Sequence, residues 1–311
     1  KVKEEMIKSL DRIERYPDIT YHDLKMGISE YEGIDYNNIF LGNGAAEVIF
    51  NVIRGLKPKK VLLPAPTFSE YEDGIRAING EIVYYKLNRE NFKLDDGFLE
   101  AIDKSIHMLF ICNPNNPTGI GIKVEDILKV LEVFKDKPVV VDEAYYEFYG
   151  ETVISYINEY KNLYITRTLS KAWGLAALRL GFLITNEENV KELLKFKVPY
   201  TISSYSQNLA SVVLRYPDRV IENAKKVVEQ RELLFSELNK IQKNAAMHIE
   251  FYPSKGNFIY GKTSHKEALE KGLIKDGISI RYFNGDVFRI TVGSPMENRK
   301  VVESIKNIFG Y

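Results

Sequence analysis

The chain has one cysteine among its 311 residues, Cys112, so no intrachain disulfide can form and a reducing compartment fits. That cysteine follows the run Met108-Leu109-Phe110-Ile111, where a small buried hydrophobe is a far better reading than a nucleophile. Charge of one sign is also lacking. The 43 Lys and Arg balance 43 Asp and Glu, which excludes nucleic acid and an anionic membrane surface as the main partner but leaves room for a local phosphate site. There is no run of about 18 apolar residues and no signal-peptide pattern, so a cytoplasmic protein without a membrane span is expected. The four histidines, His22, His107, His248 and His265, have no metal-ligand spacing with one another, and no metal is expected. Internal repeats and low-complexity segments are absent.

What is present is a regular alternation. Hydrophobic residues at 45% and charged residues at 28% are ordinary for a globular chain, and this length suits about two domains. Strands are expected near residues 38–41, 61–63, 81–85, 108–112, 139–141 and 163–167, with another apolar run at 180–184. Helical stretches fall at 3–13, 20–32, 48–56, 69–78, 96–103 and 124–134. Near-continuous apolar strands separated by helices predict an α/β fold, a mainly parallel sheet covered by helices. After Pro199-Tyr200 the pattern changes to helices over 203–214 and 219–242, then short strands near 248–252, 257–261, 278–282 and 287–292, with helices at 266–275 and 297–309. This predicts a smaller α+β C-terminal domain. The expected division is an N-terminal helix within residues 1–15 that associates with the small domain, a large domain over 16–210 and a small domain over 211–311.

Ligands of such sheets sit beyond the carboxyl ends of the strands. Five strand ends bring Gly44-Ala45-Ala46, Phe68, Asn116, Asp142 with Tyr145, and Ser170-Lys171 to one rim. Lys171 stands where the apolar run Leu163 to Arg167 gives out, and partial desolvation there favours the neutral amine of Schiff-base chemistry. Taken alone, the stretch Thr168 to Arg179 reads equally well as a surface lysine with Arg179 in a structural ion pair. A lysine imine needs an electron sink for carbanion chemistry, and pyridoxal phosphate is one when its ring nitrogen stays protonated. Asp142 is the candidate carboxylate for that nitrogen, a loop acid or helix cap being the plain alternative. The backbone N–H groups of Ala45 and Ala46, the Ser170 hydroxyl and the Arg179 guanidinium suit the phosphate. Asn116 and Tyr145 suit the phenolic oxygen, while Phe68 either stacks on the ring or packs in the core. Asn43 and Glu47 flank the phosphate turn and read as caps.

The ordered motifs Asn113-Pro114-Asn115-Asn116-Pro117-Thr118-Gly119, Asp142-Glu143-Ala144-Tyr145 and Ser170-Lys171-Ala172-Trp173-Gly174-Leu175 with Arg179 resemble those of fold-type-I pyridoxal-phosphate enzymes. More narrowly they resemble the histidinol-phosphate aminotransferases, from Arg15-Tyr16-Pro17-Asp18 to Phe288-Arg289-Ile290-Thr291-Val292-Gly293. The resemblance implies that Lys171 binds the cofactor covalently and moves a proton between substrate Cα and cofactor C4′. It implies that Asp142 holds the pyridinium, that Asn116 and Tyr145 contact the phenolic oxygen, and that Ala45, Ala46, Ser170 and Arg179 hold the phosphate. It further implies a homodimer in which Tyr16 reaches the neighbouring subunit's cofactor phosphate, and it gives Arg281 and Arg289 the anionic ends of the substrates. From the residues alone, both arginines serve equally as structural partners of acids.

The implied reaction is transamination between L-glutamate and imidazole-acetol phosphate, a step of histidine biosynthesis. Two departures favour a threonine-phosphate decarboxylase as the alternative. Ala46 stands where many members have an acid and Phe68 where many have tyrosine, and Pro66-Thr67-Phe68-Ser69-Glu70-Tyr71 looks decarboxylase-like. A broader aromatic aminotransferase is a further alternative. A cofactor-binding regulatory module is disfavoured by the intact lysine and the missing basic face.

Overall fold

The computed structural model describes residues 14–311 together with residues 4, 7 and 8, so most of the helix expected over 3–13 lies outside the described residues. Period-2 geometry explains why the apolar runs form a sheet buried on both faces. In β2 (Lys60–Ala65), β4 (Met108–Cys112), β5 (Val139–Asp142) and β6 (Leu163–Thr168), alternate residues feed two separate cores. Leu62, Leu109, Ile111, Val139, Val141 and Ile165 belong to one. Val61, Leu63, Phe110, Cys112, Val140 and Tyr164 belong to the other.

With β1 (Ile39–Gly42), β3 (Glu81–Lys86) and β7 (Gly181–Ile184), these strands form a seven-stranded sheet in the order β1-β7-β6-β5-β4-β2-β3. The apolar run at 180–184 becomes β7, which pairs antiparallel to both neighbours, while the pairs between β2, β3, β4, β5 and β6 are parallel. Two antiparallel pairings in succession give β1 and β6 the same direction. Their carboxyl ends, which carry Gly44 and Lys171, therefore share the rim.

Most helices fall where the periodicity places them. His22–Glu32 stops at Gly33, whose φ of 67° supplies the left-handed C-cap that a β-carbon disfavours. The helix Glu187–Leu194 was not expected, although Val190, Leu193 and Leu194 fall at helical spacing along it. Asn186 starts it by accepting the Asn189 N–H, and only Val190 and Leu193 on it are buried.

The second sheet is antiparallel in the order β10-β11-β9-β8, from β8 (Glu250–Tyr252), β9 (Phe258–Lys262), β10 (Arg281–Tyr282) and β11 (Val287–Thr291). Its core is closed by the helices Pro217–Asn244, Lys266–Lys275 and Pro295–Phe309 through Leu238, Leu269 and Ile305 among others. The helix Pro217–Asn244 begins two residues earlier than expected, with Pro217 at its first position, where a missing N–H costs nothing. It spans both units, since Val220 packs in the core of the large sheet and Leu234 in that of the small one. The loop before β9 also docks on the large unit: Lys255 N–H donates to Gly119 O at 2.7 Å. A β-carbon on Gly119, itself at φ 77°, would fall 2.2 Å from Ser254 Oγ. Among the described residues, no helix is long and apolar enough to cross a membrane.

Candidate active site

The helix Ala45–Leu56 begins at the alanines, three residues before its apolar pattern suggested. Gly44, at φ 88°, turns the chain out of β1 and leaves the Ala45 and Ala46 N–H groups at the helix start, where no intrahelical acceptor exists. This turn sits directly on Gly181 of β7, where a β-carbon would come within 2.3 Å of the Ala45 nitrogen. Arg179 arrives through a left-handed turn of its own, at φ 52°. Its Nη2 lies 2.8 Å from where a β-carbon on Gly44 would stand. The positive end of a helix dipole beside a guanidinium makes a cup for a phosphate dianion. Glu47 accepts the Asn43 N–H and caps the turn, as expected.

Asp142 ends β5 on the same face as Phe110 and Cys112, and it is buried. Its Oδ1 accepts the Ala144 N–H at 3.1 Å, and its Oδ2 accepts the Tyr71 hydroxyl at 2.6 Å. Burial pushes the carboxyl above its ordinary pKa, opposed by the Tyr71, Thr166 and Ala144 hydrogen-bonding groups and by the Lys171 charge. The Lys171 side chain is accessible from the open rim, and its Nζ stands 5.3 Å from the Tyr145 ring centre. Desolvation by the surrounding protein, with the charges of Arg289 and Arg179, holds the ammonium below its ordinary pKa. Tyr145 packs edge-on against Phe258 with centroids 5.2 Å apart, and burial raises its phenol to about 12, so it remains a donor.

Beside this rim lies a cavity of about 670 Å³ lined by Thr67, Phe68, Asn116, Tyr282, Arg281 and Arg289 among others. Arg281 and Arg289 are direct cross-strand partners in the antiparallel β10–β11 pair, which puts both on one face of the small sheet. Arg289 donates to Asn116 Oδ1 and lies 4.7 Å from the Phe258 ring centre. Its Nε is buried and makes no hydrogen bond among the described residues. Tyr16 does not join the rim of its own chain. It is 84% exposed, packs on Tyr200 at 5.2 Å between centroids, and lines a different cavity with Asp23, Ser204 and Gln207.

Comparison with known proteins decides the family. The family model described as aminotransferase class I and II matches residues 1–305. The chain belongs to the class I and II aminotransferases. It is 39% identical to a histidinol-phosphate aminotransferase of Clostridium novyi (strain NT), over 98% of this chain and 86% of that one. The crystal structure of the histidinol-phosphate aminotransferase from Clostridium acetobutylicum superposes with a TM-score of 0.90 at 25% identity, covering 99% of this chain and 95% of that chain. That of the enzyme from Sinorhizobium meliloti, in complex with pyridoxal-5′-phosphate, gives 0.88 at 21% identity, covering 99% and 87%, and attests the fold.

Two parts of this aminotransferase went unnoticed in the sequence. Tyr71, one helical turn beyond Phe68, reaches Asp142 from the helix Glu70–Ala77. Arg167, a charge inside an otherwise apolar strand, is buried and paired with Glu143 and Glu32. The second was visible as a cation at a position whose alternation points into a core. The first carried no such mark, since tyrosine is at home on a buried helix face.

Proposed function

We propose that the chain catalyses pyridoxal-5′-phosphate-dependent transamination between L-glutamate and imidazole-acetol phosphate, giving L-histidinol phosphate and 2-oxoglutarate. The designation shared by its curated relatives, histidinol-phosphate aminotransferase, names that product. The observation that carries the reading is the cross-strand pair Arg281 and Arg289 facing Asn116 and Phe68 across one cavity, beside Lys171. Both substrates bring anionic groups, a carboxylate or a phosphate, to such a pair.

The donor set fits the cofactor: a helix N-terminus with Arg179 for its phosphate, a buried carboxylate, and a lysine held below its ordinary pKa. When bound, pyridoxal 5′-phosphate supplies the electron sink that lets a proton leave the substrate Cα. Ala45, Ala46, Ser170 and Arg179 anchor the phosphate. Asp142 keeps the ring nitrogen protonated, as an anion beside a cation does. Asn116 and Tyr145 donate to the phenolic oxygen, and Phe68 covers a ring face. Lys171, the covalent attachment point, takes the proton from Cα and returns it on the other side of the exchange, and its lowered pKa favours the free amine this requires. Arg289 also holds Asn116, so a substrate anion drawn to it bears on the cofactor's oxygen ligand.

The large cofactor-binding domain is assigned to residues 16–210 and the small one to 211–311. The active unit is assigned as a cytoplasmic homodimer, supported by the exposure of Tyr16, which serves the neighbouring subunit's phosphate cup. A monomer in sedimentation at full activity would remove the dimer from this reading. No nucleic acid, membrane or metal is assigned.

The decisive experiment adds glutamate alone to the cofactor-loaded chain. The visible absorption band is expected to be replaced by that of the aminated cofactor, with one equivalent of 2-oxoglutarate released. An unchanged spectrum, or carbon dioxide released from threonine phosphate in its place, overturns the assignment.

A further inference from the structure

Tyr71 is the one polar side chain that reaches Asp142 from the helix Glu70–Ala77, and its surroundings fix it tightly. It is fully buried, stacks on Phe110 with centroids 4.6 Å apart and planes 21° from parallel, and meets Phe68 edge-on at 5.6 Å. Its hydroxyl donates 2.6 Å to Oδ2 of a carboxylate that is itself buried. A buried carboxylate keeps its charge only where hydrogen bonds replace the lost water. Tyr71 serves one oxygen of Asp142 and the Ala144 N–H the other, and the Thr166 side chain adds a further lowering influence. The ionisable groups facing it are Tyr71 from its helix, Cys112 from β4, Lys171 from the loop after β6, and Tyr145 from its own segment. Burial raises the Cys112 thiol to about 12 and the Tyr145 phenol likewise, so neither takes over the charge.

We propose that Tyr71 is a positioning residue for the cofactor: its hydroxyl fixes the Asp142 carboxylate and holds it ionised, so that the carboxylate can keep a pyridine nitrogen protonated. This rests on the pyridoxal-phosphate reading above. It also gives Phe68 and Asp142 a common support, because one tyrosine ring touches both.

The test titrates the full chain, freed of cofactor, with pyridoxal 5′-phosphate across a pH series, followed by visible absorption. Tyr71→Phe is expected to weaken binding about tenfold to a hundredfold at neutral pH, the loss typical of a hydrogen bond to a charged group. It is also expected to move the acid limb of the binding curve to higher pH by about one unit or more, because a carboxylate short of one donor protonates sooner. Phe110→Leu loosens the same packing while leaving the hydroxyl in place. It is expected to lower the thermal midpoint without moving the acid limb. Unchanged affinity and pH dependence in Tyr71→Phe overturns the inference, as does an equal shift of the limb in Phe110→Leu. Failure of the unmodified chain to take up the cofactor is a different result, and it removes the functional reading itself.

Discussion

Lys171→Ala is expected to lower the rate of transamination by about 10,000-fold, the upper end of what a positioned general base contributes, while leaving the cofactor able to bind. The two effects separate because different residues carry them. On the proposed reading, the Ala45–Leu56 helix start and Arg179 hold the phosphate, and Asp142 is the ring carboxylate. Neither depends on the lysine for its position. Lys171 by contrast stands among Asp142, Arg179 and Arg289, all of which perturb its pKa. Arg289 and Arg179 act with desolvation to depress it, and Asp142 opposes them. On the proposed reading the variant loses covalent attachment together with the proton carrier, and arginines, being always protonated, cannot replace it. Equilibrium dialysis with pyridoxal 5′-phosphate and a single-turnover assay with glutamate check both halves. Turnover within tenfold of the unmodified chain would remove Lys171 from the mechanism.

Arg167→Met is expected to destabilise the fold by about 3–5 kcal/mol, the cost of stripping the partner from a buried ion pair. The guanidinium donates to Glu143 Oε2 at 2.6 Å and to Thr152 Oγ1 at 2.7 Å, pairs with Glu32 and lies 3.4 Å from the Tyr146 ring centre. Its side chain and those of both acids are almost fully buried. Burial raises the Glu32 carboxyl, opposed by Arg167, and carries neighbouring Glu147 up to about 8. A methionine of similar reach fills the space and leaves the acids without a cation. The thermal midpoint should fall by about 10 °C at neutral pH. The pH dependence follows in sign. Without Arg167 the buried Glu32 carboxyl loses the charge that opposes its upward shift, so its folded-state pKa lies above the unfolded one, and the variant binds a proton on folding and recovers stability as the pH falls. Thermal melts of both proteins at pH 5 and pH 8 measure the difference. Equal midpoints at both values would show that the network carries no net stability.

The same network explains why the segment Asp142 to Tyr146 is well placed. Glu143 accepts from Arg167, from Thr152 and from the Val153 N–H, and Tyr146 meets Tyr31 by its hydroxyl at 2.9 Å. The residues on either side of Asp142 and Tyr145 are thereby tied to β6 and to the helix His22–Glu32. The β5 strand end that offers Asp142 to the rim is fixed from behind, on the opposite face of the sheet from Tyr71.

How much of this was legible in the chain depends on what kind of pattern carries it. The rim was legible because a parallel sheet sends all its strand ends one way. Gly44, Phe68, Asn116, Asp142 and Lys171 each follow an apolar run that can only be a strand. The helix Glu187–Leu194 was missed because it is only eight residues long and buries just two side chains, although Val190, Leu193 and Leu194 fall at helical spacing along it. The early start at Ala45 was hidden as well, since alanine at a helix N-terminus adds nothing to an apolar stripe.

The sequence by itself determined the α/β alternation, the two cores sorted by alternate residues, and the order in which polar residues reach the rim. Those properties are local, set by the period of the backbone and by the burial of each strand. Only the tertiary structure decided which residues meet. Tyr71 and Asp142 lie 71 positions apart, Glu32 and Arg167 135, and Asn116 and Arg289 173. Periodicity tells which face a side chain occupies, but its partner there is chosen by strand order, helix docking and cross-strand register. Arg281 and Arg289 became a pair because the β10–β11 register set them opposite one another.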